Sequence, residues 1–190
     1  MKEKVLLRKQ KMQERDSLSA EALQALSDII TRKVVRLKEY KASEKILCYV
    51  SCRSEVKTLN LIESALKAGK TVGVPKVYDN KMQFYKIDSL FDLESGYFGI
   101  LEPKNNITKE ENVLNPDSSL IIVPGLAFDT SLNRIGYGKG FYDRYFSENE
   151  SASFIKCGIA FELQLCEKIE ADANDQPLDM LVTEKDIIYK

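Results

Sequence analysis

The stretch from Arg134 to Arg144, reading Arg-Ile-Gly-Tyr-Gly-Lys-Gly-Phe-Tyr-Asp-Arg, gathers the residue types that a phosphate group needs. Gly136, Gly138 and Gly140 stand at every second position, so backbone N–H groups can turn toward an anion with no Cβ in the way. A helix predicted over 139–147 would add its positive end. Arg134 supplies a planar fork of donors and Lys139 a point charge. Asp143 follows Gly140 by one helical turn, which suits a carboxylate holding Mg2+ against phosphate oxygens. The spacing is not that of the familiar nucleotide loops. Alternate glycines do not fit G-x-G-x-x-G, and no Gly-Lys-Ser/Thr closes the segment as in a Walker A loop. A bare glycine-rich turn could also serve tight packing, but the flanking Arg, Lys, Tyr and Asp favour a phosphate clamp with its metal.

The rest of the chemical inventory is narrow. The 190 residues include no histidine, which excludes a Ser-His-Asp arrangement and any imidazole base. Acid–base work must come from carboxylates, Lys, Tyr, Cys or the substrate itself. The four cysteines, Cys48, Cys52, Cys157 and Cys166, read as free thiols, with Cys48 and Cys52 as small core fillers in or beside an apolar strand. Their spacing and the missing histidines argue against zinc.

Charge is uneven along the chain. Residues 1–41 carry eleven Lys/Arg against six Asp/Glu, whereas residues 148–190 carry ten Asp/Glu against four Lys. The two ends could complement each other, hold an anion and its metal counter-ion between them, or be two solvated faces.

Positioning these residues requires alternating strands and helices. Residues 2–15 read as a basic helix, and 19–39 as a second helix capped by Ser19 with Leu23, Leu26, Ile30, Val34 and Leu37 at helical spacing. Lys45–Val50 and Thr71–Pro75 read as parallel strands around a helix that Thr58 caps and Gly69 ends. Strands are expected at 82–87, at 154–160 and near 180–189, and 96–117 reads as loop. The apolar run 118–123 reads as a central strand buried on both faces. These elements predict an α/β fold, a single domain over residues 1–190 with a mostly parallel central sheet flanked by helices.

Composition narrows the class further. A net charge of −1 gives no nucleic-acid footprint. The longest apolar run, Leu120–Phe128, falls short of the roughly 20 residues that span a bilayer, and Pro124 and Gly125 interrupt it. The charged first residues lack the apolar centre of a signal peptide. A cytoplasmic protein, without membrane or nucleic-acid partners, is expected.

The ordered set of segments resembles the 5-formyltetrahydrofolate cyclo-ligases, also called methenyltetrahydrofolate synthetases, nearly end to end. The most specific match is Val123–Asp129 (Val-Pro-Gly-Leu-Ala-Phe-Asp) followed by Arg134–Asp143. Supporting matches are Lys4–Arg8, Ser51–Val56 (Ser-Cys-Arg-Ser-Glu-Val), Val74–Lys76, Gly99–Pro103 and Asp175–Asp179.

The resemblance implies roles for particular residues. Lys4 and Arg8 would contact ATP, although by charge alone they are a solvated helix face. Arg134, Gly136, Gly138, Lys139, Gly140 and Tyr142 would hold the ATP phosphates, with Arg134 and Lys139 catalytic through charge stabilisation. Asp143 and Asp175 would hold Mg2+, and Asp179 would either join them or pair with a nearby base. Glu55, otherwise read as a helix-start carboxylate near Thr58, would contact the folate, with Val50 and Tyr137 in the same pocket. Phe84 and Tyr85 would line it or belong to the core.

The reaction implied is attack of the formyl oxygen of 5-formyltetrahydrofolate on the γ-phosphate of ATP. N10 of the folate then displaces phosphate from the activated carbon and gives the 5,10-methenyl bridge. The protein would act as a monomer on a substrate with or without a polyglutamate tail. One position departs from the pattern, Asn174, where family members often carry His, and two more, Tyr137 and Lys139, lie at variable positions within the glycine segment. Three other readings are an ATP-dependent enzyme with another substrate, a non-catalytic folate- or nucleotide-binding protein, and a sugar-phosphate isomerase. Glu55 argues against the first, the intact Asp143, Asp175, Arg134 and Lys139 against the second, and the need for ATP and Mg2+ against the third.

Overall fold

The computed structural model describes residues 2–96 and 99–190. Its helices are α1 (Lys2–Asp16), α2 (Ala20–Val34), α3 (Lys38–Ala42), α4 (Leu59–Lys67) and α5 (Phe141–Glu148). The main sheet is built from β1 (Lys45–Cys48), β2 (Thr71–Tyr78), β3 (Lys81–Ile87), β6 (Ser119–Val123), β9 (Phe154–Ile159), β11 (Met180–Val182) and β12 (Ile187–Tyr189). Its spatial order is β12-β11-β9-β6-β1-β2-β3. The inner pairs are parallel, and only the edge strands β3 and β12 run antiparallel. The mostly parallel α/β sheet is thus as the alternation predicts.

The central strands β1 and β6 are apolar after their first residues, Lys45 and Ser119, because both faces are covered. Ile46, Cys48, Leu120 and Ile122 point into one core layer with Ile30 and Val34 of α2 and Leu61, Ile62 and Ala65 of α4. Their alternates Leu47, Ile121 and Val123 point into a second layer with Phe84, Tyr145 and Phe146. The period of two along each strand fixes this division. β6 is buried at all of its positions, as its run of apolar residues predicts.

Several local expectations hold. The Ser19 hydroxyl accepts the Ala22 N–H at 3.2 Å and caps α2. Gly69 follows α4 at φ +72°, the left-handed geometry that ends a helix at little cost to glycine. Others are corrected. The helix expected over 19–39 stops at Val34, and Leu37 leaves helical geometry at ψ 144° before α3 begins. That break lets Leu37 and Tyr40 turn back into the core beside Val34. Thr58 does not cap α4; its hydroxyl instead accepts the Ser51 N–H at 2.9 Å, tying down the loop after β1.

Within the stretch read as loop, β5 (Leu101–Pro103) is a strand that pairs with β4 (Leu93–Ser95), just before the stretch, in a small hairpin. Residues 97 and 98 of that stretch lie outside the described residues. A second small sheet joins β7 (Ala127–Asp129), β8 (Arg134–Ile135) and β10 (Leu165–Cys166) in the order β10-β7-β8. These strands are too short to show periodicity, yet β8 delivers Arg134 and the start of the glycine segment.

Candidate functional site

The carboxyl ends of β1 and β6 lie side by side where the connections from β1 and β6 depart to opposite sides of the sheet. In open α/β sheets such a divergence leaves a crevice for ligands. Here the loop Tyr49–Thr58 leaves β1, and Pro124-Gly125 leaves β6. Gly125 is required by packing, because a Cβ there would sit 2.5 Å from the Phe128 ring.

A cleft of about 230 Å3 lies over this edge, lined by Lys4, Arg8, Arg134, Gly136, Tyr137, Gly138, Lys139, Gly140, Tyr142, Asp143 and Asp175. Every residue expected at the ATP phosphates and the metal is therefore brought to one place. Gly138 and Gly140 sit at φ +93° and +63°, the region that L side chains rarely adopt. Gly140 immediately precedes α5, so the helix begins at 141 rather than 139. The Arg8 Nε donates to the Gly136 carbonyl at 2.9 Å and clasps the loop from α1.

Positive charge is concentrated in this cleft, and part of it lacks a protein partner. Lys139 is exposed and makes no ion pair among the described residues. Arg134 is buried, donating from Nη2 to Asp143 Oδ1 at 2.7 Å, while its Nε finds no partner. The buried Tyr142 hydroxyl is also unpartnered. Unpaired buried donors are costly, and a ligand rich in acceptor oxygens would satisfy both.

The two charged ends of the chain meet here. Lys4 on α1 donates to Asp172 at 2.6 Å and to Asp175 at 2.7 Å. Burial pulls the Lys4 pKa down, but the hydrogen bonds it donates to the two carboxylates, with their charge, outweigh it and leave it above its ordinary value. Burial pushes Asp175 up, and the Lys4 hydrogen bond with the Asp172 N–H more than offsets it, leaving Asp175 below the usual carboxylate range.

Asp143 and Asp175 fit the demands of Mg2+. Asp143 uses Oδ1 for Arg134 and the Gln176 N–H, and Asp175 uses Oδ2 for Lys4 and the Asp172 N–H. Each keeps its other oxygen free of protein hydrogen bonds among the described residues. Among those residues no group of three or more His, Cys, Asp or Glu could cage a metal. That is the donor set Mg2+ takes, with one or two carboxylates completed by water and phosphate oxygens. Asp179 is elsewhere: its Oδ2 accepts the Lys156 N–H at 2.8 Å and anchors β9.

A second pocket of about 380 Å3 adjoins the first, lined by Met12, Arg15, Asp16, Val50, Cys52, Arg53, Glu55, Ile100, Pro124 and Tyr137. It unites the three residues expected at the folate: Val50, Glu55 and Tyr137. Glu55 is buried, with one partner on each oxygen: Oε2 accepts the Cys52 N–H at 2.7 Å and Oε1 the Tyr137 hydroxyl, which leaves acceptor capacity on both. Desolvation, and then the Glu55 charge, push the Tyr137 phenol well above its usual pKa, so it is a neutral donor to the carboxylate. Phe84 and Tyr85 lie outside the lining of both pockets. Phe84 is fully buried against Tyr145 at 5.2 Å, and Tyr85 is also buried, its hydroxyl on Gln83. Cys48 is core as expected, whereas Cys52 is half-buried in the pocket wall; all four cysteines are free thiols.

Residues 1–184 match the sequence pattern of the 5-formyltetrahydrofolate cyclo-ligase family. The chain belongs to that family. A probable 5-formyltetrahydrofolate cyclo-ligase of Schizosaccharomyces pombe is 37% identical over 172 residues, covering 84% of each chain. The 5-formyltetrahydrofolate cyclo-ligase of Mus musculus is 30% identical over 186 residues, 94% of this chain and 92% of that one. The NMR structure of Aquifex aeolicus 5,10-methenyltetrahydrofolate synthetase superposes with a TM-score of 0.84 at 36% identity, covering 98% of this chain and 92% of that one. The resemblance read from the cyclo-ligase segments and the α/β fold are therefore both borne out.

Sequence reasoning missed Arg15, Met12, Arg53, Ile100 and Asp172. Arg15 had a signal: Lys4, Arg8, Lys11 and Arg15 are spaced by four, three and four, which is one face of a helix. Ile100 had none, since its place in the wall depends on a hairpin that local pattern does not reveal.

Proposed function

We propose that the chain catalyses ATP- and Mg2+-dependent closure of 5-formyltetrahydrofolate to 5,10-methenyltetrahydrofolate, releasing ADP and phosphate. The observation that carries this reading is the adjacency of the two pockets. Tyr137 and Pro124 line both, so a molecule in the Glu55 pocket lies next to one in the glycine-loop cleft. Phosphoryl transfer needs that proximity more than it needs a protein nucleophile.

Arg134 and Lys139 stabilise charge on the transferring phosphoryl group, one held rigidly by Asp143 and the other free to follow it. The backbone of Gly136–Gly140, the start of α5, Lys4, Arg8 and Tyr142 hold the polyphosphate chain. Asp143 and Asp175 would hold Mg2+, which when bound neutralises phosphate charge. Glu55 and Val50 orient the folate so that its formyl oxygen faces the γ-phosphate. The formyl oxygen takes the γ-phosphoryl group as ADP leaves; N10 then attacks the activated carbon, the C–O bond to phosphate breaks, and the N10 proton leaves with the phosphate. A carboxylate acceptor suits the N–H edge of a pterin, and the site requires no histidine at any step.

The protein acts in this reading as one cyclo-ligase domain over residues 1–190, a cytoplasmic monomer. Among the described residues no helix is long and apolar enough to cross a membrane. The deciding experiment follows absorbance of the methenyl product after mixing protein, 5-formyltetrahydrofolate, Mg2+ and ATP. A rise that needs both ATP and Mg2+ is expected. Folded protein that binds ATP without producing the methenyl band would move the substrate elsewhere and sink the folate reading.

A further inference from the structure

Arg15 sits near the end of α1 that lies away from Lys4, and it is almost fully buried at 3% exposure. Its fork is divided between two acceptors. Nε donates to Ser54 Oγ at 3.0 Å, and Nη2 donates to the Tyr137 hydroxyl at 3.0 Å. Each acceptor then donates to a carboxylate, Ser54 to Asp16 and Tyr137 to Glu55. The second branch is therefore a chain from guanidinium to phenol to carboxylate, ending on the group that faces the folate pocket.

Tyr137 could not hold this place unaided. Half of its surface is open to solvent, and it sits between two glycines that offer its backbone little restraint. Two hydrogen bonds at the hydroxyl fix the ring, one accepted from Arg15 and one donated to Glu55.

We propose that Arg15 is a positioning residue for the folate site, holding Tyr137 and, through it, Glu55 in the orientation the substrate meets. Because Lys4 and Arg8 face the phosphate cleft from the same helix, α1 spans both substrates' sites. The Ser54 branch anchors the guanidinium and ends on Asp16 at another part of the lining, whereas only the Tyr137 branch ends on Glu55. This inference rests on the folate reading of the Glu55 pocket.

The test is a double-mutant cycle read in equilibrium binding of 5-formyltetrahydrofolate without ATP, together with the KM values for each substrate. Arg15→Gln is expected to weaken folate binding about tenfold, the usual scale for a lost charge-assisted hydrogen bond. The KM for ATP should stay within about twofold, a split that general loosening of the fold would not produce. In a Tyr137→Phe background the same substitution should change folate affinity by less than about twofold, because its route to Glu55 is already cut. Ser54→Ala should leave folate affinity within about twofold in either background.

Additive losses in the Tyr137→Phe background would overturn the proposal, as would equal increases in both KM values. Should Arg15→Gln fail to fold, Arg15→Lys enters the cycle in its place; its point charge cannot serve both acceptors, and rescue to full affinity would also overturn the proposal. Wild-type protein that neither binds nor converts 5-formyltetrahydrofolate would overturn the folate reading and this inference with it. Wild-type conversion with unchanged Arg15→Gln affinity would overturn this inference alone.

Discussion

Arg134 and Asp143, nine positions apart in sequence, are joined by a 2.7 Å hydrogen bond that ties β8 to the first turn of α5. The bond closes the glycine segment into a loop with both ends fixed. It also gives Asp143 a structural duty besides its proposed place at Mg2+, since it is the ion-pair partner of a buried guanidinium.

Substituting Asp143 should therefore affect both turnover and stability. Asp143→Ala leaves Arg134 buried and unpaired, and a loss of about 3 kcal/mol is expected from that alone. Asp143→Asn keeps one acceptor for Arg134, and should recover most of the stability without the Mg2+-dependent activity. Denaturant melts beside product absorbance separate the two effects. An Asn variant with near-normal turnover would remove Asp143 from the metal site.

Lys139 offers the converse case, because it lines the cleft but is exposed and unpaired among the described residues. Lys139→Ala should leave the thermal midpoint unchanged and raise the KM for ATP by about tenfold, the scale of one charged hydrogen bond. The KM for folate should stay close to wild type. Equal increases for both substrates would indicate a general role for the loop.

Gly138 tests the loop backbone. At φ +93° any L side chain is strained, and Gly138→Ala should cost about 1–2 kcal/mol. A Cβ there would lie 3.8 Å from the Arg8 guanidinium, an ordinary contact, so the cost is conformational and not a clash. ATP binding should weaken along with stability, measurable by calorimetry on the folded variant. Unchanged ATP affinity would show that the loop's conformation does not serve the nucleotide.

The Lys4–Asp175 pair predicts a pH dependence. Asp175 has a lowered pKa in the folded state, so its contribution is present above the unfolded carboxylate value and lost as pH falls through the folded one. Lys4 has a raised pKa, so its contribution is full below its unfolded value and lost as pH rises through the folded one. The stability difference between wild type and Lys4→Met should be flat across neutral pH, and should shrink below about pH 4 and above about pH 10. A difference that persists unchanged at both extremes would assign Lys4 a packing role only.

Much of this was legible in the sequence because the decisive signals are local. The alternating glycines, the apolar runs and the Ser19 cap all act within a few residues. The glycine segment, Lys4, Arg8, Asp143 and Asp175 accordingly fall together as expected, and so do Val50, Glu55 and Tyr137. What escaped depends on distant partners. The β7-β8-β10 sheet has strands of two or three residues whose pairing comes from 30 residues away in sequence or more at β10. Phe84 and Tyr85 carry the same aromatic signal whether they line a pocket or lie buried; the packing of α5 decides for Phe84, while Tyr85 is buried edge-on to Tyr78. The Arg15 fork requires α1 to be docked before Tyr137 and Ser54 come within its reach.

The double membership of Tyr137 and Pro124 also bears on inhibition. The phenol of Tyr137 and the pyrrolidine ring of Pro124 belong to the lining of both compartments. A single synthetic molecule could place a pterin mimic on Glu55 and a phosphate mimic on the glycine loop, with only a short tether crossing between them. Because the second half would bind intramolecularly, its effective concentration, and not a new contact, would set the gain in affinity. The tether would pass beside a phenol that Arg15 keeps still, so its length could be chosen against a fixed wall.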